Sequence, residues 1–249
     1  MDATQALEIP NSLHDAVLHI TPLIKRMREA SDAEYELEAR MGLLTGNRFV
    51  PGINSECMRQ IEGMLSSFPG WDRFTQGWVY SQDYFYRVEG KQYRTSTVFE
   101  NGNIISTHMY KAVLEQQDLQ HVPLHSTAVL GHLHKIPVVA DVRVSLAIES
   151  PVADLPPLVT PYMLRFKQRR SFHVRGWRYD LTKTWQANSR KEMEAKQDQD
   201  PVCEVEIECE DPVGCLAKPY HTDEYMATSL LLKMMDLLTL RGLDPLKGR

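Results

Sequence analysis

Apolar positions recur along this chain with two periods, a helical one at its ends and an alternating one between them. From Asn11 to Ala30, Leu13, Val17, Ile20, Leu23, Ile24 and Met27 fall at helical spacing. That predicts an amphipathic helix, capped by Asn11 or Ser12 and open to a kink at Pro22. Glu56 to Phe68 predicts a short helix ended by Pro69-Gly70. Thr222 to Arg241 predicts a second amphipathic helix, with Asp223 and Glu224 in its first turn. Glu34 to Leu44, Gly77 to Val88, Lys91 to Glu100, Ile104 to Val113, Val138 to Glu149, Tyr162 to His173, Trp177 to Gln186 and Glu204 to Glu208 read as strands. Glu89-Gly90 and Asn101-Gly102 have hairpin-turn chemistry, and Arg175-Gly176 turns the chain. Gly46 to Gly52 reads as a turn-rich connection, and Ser150 to Pro161 as an extended one. Ala187 to Asp200 reads as a charged, solvated segment. Gln116 to Lys135 has no clean period.

The polar faces of these strands are ionic. Glu204, Glu206 and Glu208 alternate with Val205 and Ile207, and Glu36 and Glu38 alternate with Leu37 and Ala39 before Arg40. Alternate side chains of a strand share a face, roughly 6.6 Å apart. Arg165, Lys167 and Arg169 share another face. Arg178, Asp180, Thr182 and Thr184 share a third, and Arg143, Ser145, Ala147 and Glu149 a fourth, opposite Val142, Val144, Leu146 and Ile148. One such strand alone is ordinary surface. Several together are harder to explain that way, because like charges on one face repel unless opposite charge intervenes. A closed barrel with an ionic interior resolves this. Acid and basic walls then face each other, the apolar exterior packs on the helices, and bound cations compensate the acid strands.

Composition bounds this picture. The chain has 249 residues, 43% hydrophobic and 24% charged, enough for one sizeable core, and a single domain over 1–249 is expected. A net charge of -5 argues against coating long nucleic acid, so any such contact is expected to be local, at an end. Cys57, Cys203, Cys209 and Cys215 lack zinc-type pairing and read as free thiols. The Met-Asp-Ala-Thr start does not read as a signal peptide. The apolar run Ser229 to Leu240 is broken by Lys233 and Asp236, so no membrane span is expected.

The glutamates of two strands form an oxygen-only donor set that suits Mg2+ or Mn2+ better than zinc. Arg165, Lys167, Arg169 and Arg94 supply charge for phosphate oxygens. Metal, basic cradle and one further carboxylate are what phosphoryl transfer to water needs. Other features read more plainly. His132 and His134 have no third ligand nearby, Lys91 to Arg94 could be a surface hairpin, and the methionines of Leu231 to Leu238 suit helix packing. No Gly-x-x-x-x-Gly-Lys loop and no Cys-x5-Arg loop occurs.

Taken in order, these residues resemble the metal-dependent RNA triphosphatases of mRNA capping, the triphosphate tunnel family. The resemblance runs from Glu36 to Glu208. It comprises Glu36-x-Glu38-x-Arg40, Arg94 in Tyr-Arg-Thr-Ser, and Glu149 closing Val-Arg-Val-Ser-Leu-Ala-Ile-Glu. Arg165-x-Lys167-x-Arg169, Trp-Arg-Tyr-Asp-Leu-Thr-Lys with Asp180 and Thr182, and Glu204-x-Glu206-x-Glu208 complete it. The compact length is most similar to the trypanosomatid members.

The resemblance implies a mainly β fold of class α+β: a closed eight-stranded antiparallel barrel with a polar interior, flanked by N- and C-terminal helices. It implies an enzyme that removes the γ-phosphate from triphosphate-ended nascent mRNA, leaving the diphosphate end for the capping guanylyltransferase. Hydrolysis of free nucleoside triphosphates with manganese is a further expectation. Glu36, Glu38 and Glu208 would hold the metal. Arg94, Lys167 and Arg169 would grip the γ-phosphate, and Glu149 would orient or activate the attacking water, assisted by Asp180 and Glu206. Arg165 would bind substrate and, with Thr182 and Glu204, brace the wall beside Arg40. The family's lysine on the strand after Arg94 corresponds to Lys111, whose flanks Met109, Tyr110 and Ala112 depart from the pattern. A nuclear monomer is expected. The rivals are a tunnel-fold tripolyphosphatase, thiamine triphosphatase or nucleotide cyclase, and a non-catalytic capping scaffold.

Overall fold

The first helical period forms α1 (Leu13–Glu29), with Pro22 inside the helix rather than at its end. In the computed structural model, which describes residues 13–29, 34–100, 103–124, 138–153 and 159–238, its apolar stripe covers a sheet. Ala16, Val17, Ile20, Leu23, Ile24 and Met27 are all buried. The cap expected at Asn11 or Ser12 lies outside the described residues.

Along the chain follow β1 (Tyr35–Thr45), β2 (Arg48–Pro51), α2 (Ser55–Ser67), β3 (Arg73–Phe74), β4 (Val79–Val88) and β5 (Lys91–Glu100). Then come β6 (Asn103–Leu124), β7 (Val138–Pro151), β8 (Met163–Val174) and β9 (Trp177–Ala187). The described chain closes with α3 (Arg190–Lys196), β10 (Val202–Cys209), α4 (Pro212–Leu216) and α5 (Asp223–Leu238). The main strands run in the order β10-β9-β8-β4-β5-β6-β7-β1, and β10 also pairs with β1. That last pairing closes an antiparallel barrel and removes its open edges. The short strands β2 and β3 hang on β1 and β8.

Alternation decides what each face does. Leu37, Ala39, Met41, Val144, Leu146, Leu181, Val205 and Ile207 point outward and are buried in one cluster with α1, α2 and α5. The core therefore lies outside the barrel, between sheet and helices, and the inward positions are left to polar residues. The turns at Glu89-Gly90 and Arg175-Gly176 carry positive φ at both residues, 49° and 77° in one and 51° and 80° in the other. That geometry matches the twist of a two-residue hairpin. The turn expected at Asn101-Gly102 falls outside the described residues.

Three segments differ from the sequence reading. The connection expected over Gly46 to Gly52 contains β2, which folds back on β1 and buries Phe49; four residues are too few to show a period. The segment expected to be only solvated, Ala187 to Asp200, contains α3. Ser189 caps this helix by accepting from the Glu192 N–H, and Glu192 accepts from the Asn188 N–H. Met193 is its single buried residue, so no stripe marks it. The stretch from Gln116 belongs to β6 as far as Leu124. Register shifts between Val113 and Glu115, and again between Leu119 and Val122, reset the alternation.

Candidate active site

The inward faces of the eight strands line a polar tunnel with a cavity of about 510 Å³. Strand phase puts Glu36, Glu38 and Arg40 inside from β1, Asp83 from β4, Arg94 from β5, Lys111 from β6 and Glu149 from β7. β8 contributes Arg165, Lys167 and Arg169, β9 contributes Arg178, Asp180 and Thr182, and β10 contributes Glu204, Glu206 and Glu208. Every residue assigned a site role from the sequence is thus brought to one interior. Across the closing seam Glu38 faces Glu208 and Arg40 faces Glu206 in register. On β7 the register neighbours of Glu36 and Glu38 are small, Ala147 and Ser145.

The protein's own cations neutralise the acid walls, where the sequence pattern called for bound ones. Arg40 bridges Glu38 (2.9 Å) and Glu206 (2.8 Å). Lys111 pairs with Glu36 and, at 3.1 Å, with Glu149, which also meets Arg94 at 3.3 Å. Lys167 lies 2.6 Å from Asp83. Arg169 bridges Asp180 (2.7 Å) and Glu206 (3.2 Å) and donates to the Thr182 hydroxyl. Arg178 holds Asp180 at 3.0 Å and pairs with Glu208. Thr184 donates to Glu204 at 3.0 Å.

Two residues apart on β10, Glu206 and Glu208 titrate in opposite directions. Burial pushes both up. At Glu206, Arg40 and Arg169 outweigh burial and hold the carboxyl at about 2. At Glu208, burial dominates, Arg178 opposes it, and Glu36, Asp180 and Glu38 add to it, giving about 8. Burial, Glu38 and Glu149 likewise raise Glu36 against Lys111. Burial also works on Glu149, but Arg94 and Lys111 prevail and keep it ionised. Lys167 is lowered to about 8 by burial and Arg169, against the pull of Asp83.

Glu36 and Glu38 both act on Glu208 across the closing seam, and the all-oxygen donor set of the three fits a hard divalent cation. Each is turned onto a basic side chain. Among the described residues no group of three carboxylate, imidazole or thiol side chains stands at metal-holding spacing. His132 and His134 lie outside the described residues.

Two interior residues were missed as site residues by the sequence reading. Arg178 had been placed on the inward face of its strand, but its pairing with Glu208 depends on the β9–β10 register. Asp83, which is 1% exposed and holds Lys167, sits among the aromatics of Tyr80 to Tyr86. The one signal there was its phase with Ser81.

The family described as mRNA capping enzyme, beta chain, matches residues 79–218. No curated protein matches the sequence. Among solved structures the chain is similar to the S. pombe Pct1 RNA triphosphatase, with 16% identity and a TM-score of 0.64 over 98% of each chain. It is equally similar, at 16% identity, to that protein in complex with the Spt5 CTD, with a TM-score of 0.62 over 98% of each chain. The RNA triphosphatase domain of the mimivirus mRNA capping enzyme is similar at 12% identity and a TM-score of 0.55, covering 87% of this chain and 95% of that one. At these identities the structural likeness is one of fold.

Proposed function

The chain belongs to the mRNA capping enzyme β-chain family, whose members are RNA triphosphatases, and on that premise we propose that it hydrolyses the γ-phosphate of triphosphate-ended nascent RNA by metal-assisted in-line attack of water. The observation that carries the reading is the convergence of Glu36, Glu38 and Glu208 on one acidic pocket, beside Arg94, Lys111, Lys167 and Arg169.

Glu36, Glu38 and Glu208 would hold Mg2+ or Mn2+, which when bound supplies Lewis-acid polarisation of the phosphoryl oxygens. Arg94, Lys167 and Arg169 grip the γ-phosphate and stabilise the charge on its equatorial oxygens. Lys111 and Arg165 bind further along the substrate. As phosphate oxygens draw Arg94 and Lys111 away from Glu149, that carboxylate is freed to take a proton from the attacking water. Asp180 and Glu206 keep Arg169 aimed, while Arg40, Thr182 and Glu204 brace the wall.

The proposal extends to one domain over 1–249, a monomer in the nucleus, hand-over of the diphosphate end to a guanylyltransferase, and manganese-supported hydrolysis of free nucleoside triphosphates. Likeness to the trypanosomatid members in particular belongs to the proposal too. The test is phosphate release from triphosphate-ended RNA and from inorganic tripolyphosphate, with magnesium or manganese. Higher kcat/KM on RNA is expected. Release from tripolyphosphate alone would make it a polyphosphatase, and no release from either would leave a scaffold.

A further inference from the structure

The tunnel's positive charge is unevenly committed. Every cation described above except Arg165 rests on a carboxylate. Among the described residues neither Arg165 nor Arg87 has a carboxylate partner, and both lie against aromatic rings. The Arg165 guanidinium is 5.4 Å from the centre of the Phe85 ring and donates to Gln186 at 3.2 Å. Its Nε is buried without a partner. The Arg87 guanidinium is 5.2 Å from the centre of the Tyr162 ring, and the Tyr162 hydroxyl donates to Gln92 at 3.3 Å.

These residues share one mouth of the tunnel. Phe85 and Arg87 continue along β4 the inward phase of Ser81 and Asp83. The Tyr162 N–H donates to the Phe85 carbonyl at 2.9 Å, which ties Tyr162 to the same level. On β8, Arg165 lies two residues past Lys167 and four past Arg169, roughly 13 Å along the strand from the Glu206 end. Tyr162 is 39% exposed, so a ring face is within reach of a ligand. At the opposite end Arg73 and His173 are both committed to Glu210, and the acidic pocket of Glu36 and Glu208 lies on that side.

We propose that RNA enters by this mouth, with Arg165 meeting the phosphate next to the first nucleoside, Tyr162 stacking a base just behind the triphosphate and Arg87 meeting the phosphate that follows. A phosphodiester chain is bound by fixed positive charge that carboxylates have not already cancelled. A base of any identity stacks on an aromatic face, which suits an enzyme that must accept many transcripts. Inorganic tripolyphosphate has no base, so this mouth separates the two substrates. The inference rests on the proposed function.

The experiment compares wild type with Tyr162→Ala, Tyr162→Phe and Arg87→Gln, taking kcat/KM on a short triphosphate-ended oligoribonucleotide and on tripolyphosphate, with manganese. Tyr162→Ala is expected to lower the RNA-to-tripolyphosphate ratio roughly tenfold through loss of one stacking platform. Tyr162→Phe, which keeps the ring, should restore it. Arg87→Gln should reduce the salt slope of log KM for RNA by about 0.7. A wild-type enzyme that cleaves RNA, with a ratio unchanged in Tyr162→Ala and a salt slope unchanged in Arg87→Gln, overturns this inference alone. A wild-type enzyme that cleaves tripolyphosphate but not RNA overturns the proposed function and this inference together.

Discussion

Lys167 is the residue whose chemistry is set most plainly by its surroundings. Burial and Arg169 bring its ammonium down to about 8, with Asp83 pulling the other way. In its proposed role of gripping phosphate, Lys167 is charged below that value and neutral as pH rises through it. The kcat/KM profile, which reports the free enzyme, is therefore expected to fall above about pH 8. Asp83→Asn removes an anion that favours the charged lysine, so the alkaline limb should move to lower pH. A limb that stays in place would show that another group sets it. At this scale the sequence was informative wherever phase sufficed: the shared faces of Glu36 with Glu38, of Arg165 with Lys167 and Arg169, and of Glu204 with Glu206 and Glu208 follow from alternation alone. Which charge meets which does not. The bridges from Arg40 to Glu206 and from Arg178 to Glu208 are set by the pairing of β1 and β9 with β10.

Among the elements, long strands and amphipathic helices were legible because each repeats its signal several times. Short or interrupted ones were not. β2 has four residues, α3 has one buried side chain, and β6 changes phase twice. Yet β2 leaves a constraint on its neighbour. Gly42 of β1 sits so close under it that an added Cβ would lie 2.4 Å from the Val50 carbonyl oxygen and 2.6 Å from the Phe49 ring. Backbone cannot step aside as a side-chain tip can, so Gly42→Ala should cost about 1–3 kcal/mol. Urea denaturation checks this: the midpoint is expected to fall with the slope unchanged. An unaltered midpoint would mean that β2 yields freely.

The whole molecule turns the usual arrangement inside out, with apolar packing outside the barrel under α1, α2 and α5 and ions within. The interior anions and cations nearly balance, so the tunnel can close without leaving a large buried charge. A triphosphate entering it brings several negative charges and competes for the cations that hold the carboxylates. In the proposed reaction a divalent ion held by Glu36, Glu38 and Glu208 would restore the balance, and everything else in the mechanism depends on it. Its most direct measurement is γ-phosphate release from triphosphate-ended RNA across a manganese titration, for wild type and for Glu208→Gln, which keeps the side chain's shape. Saturable activation of wild type, abolished by chelation, is expected, with a rate in the variant lower by about a hundredfold or more. Release that persists under chelation, or that Glu208→Gln leaves at the wild-type rate, would contradict it.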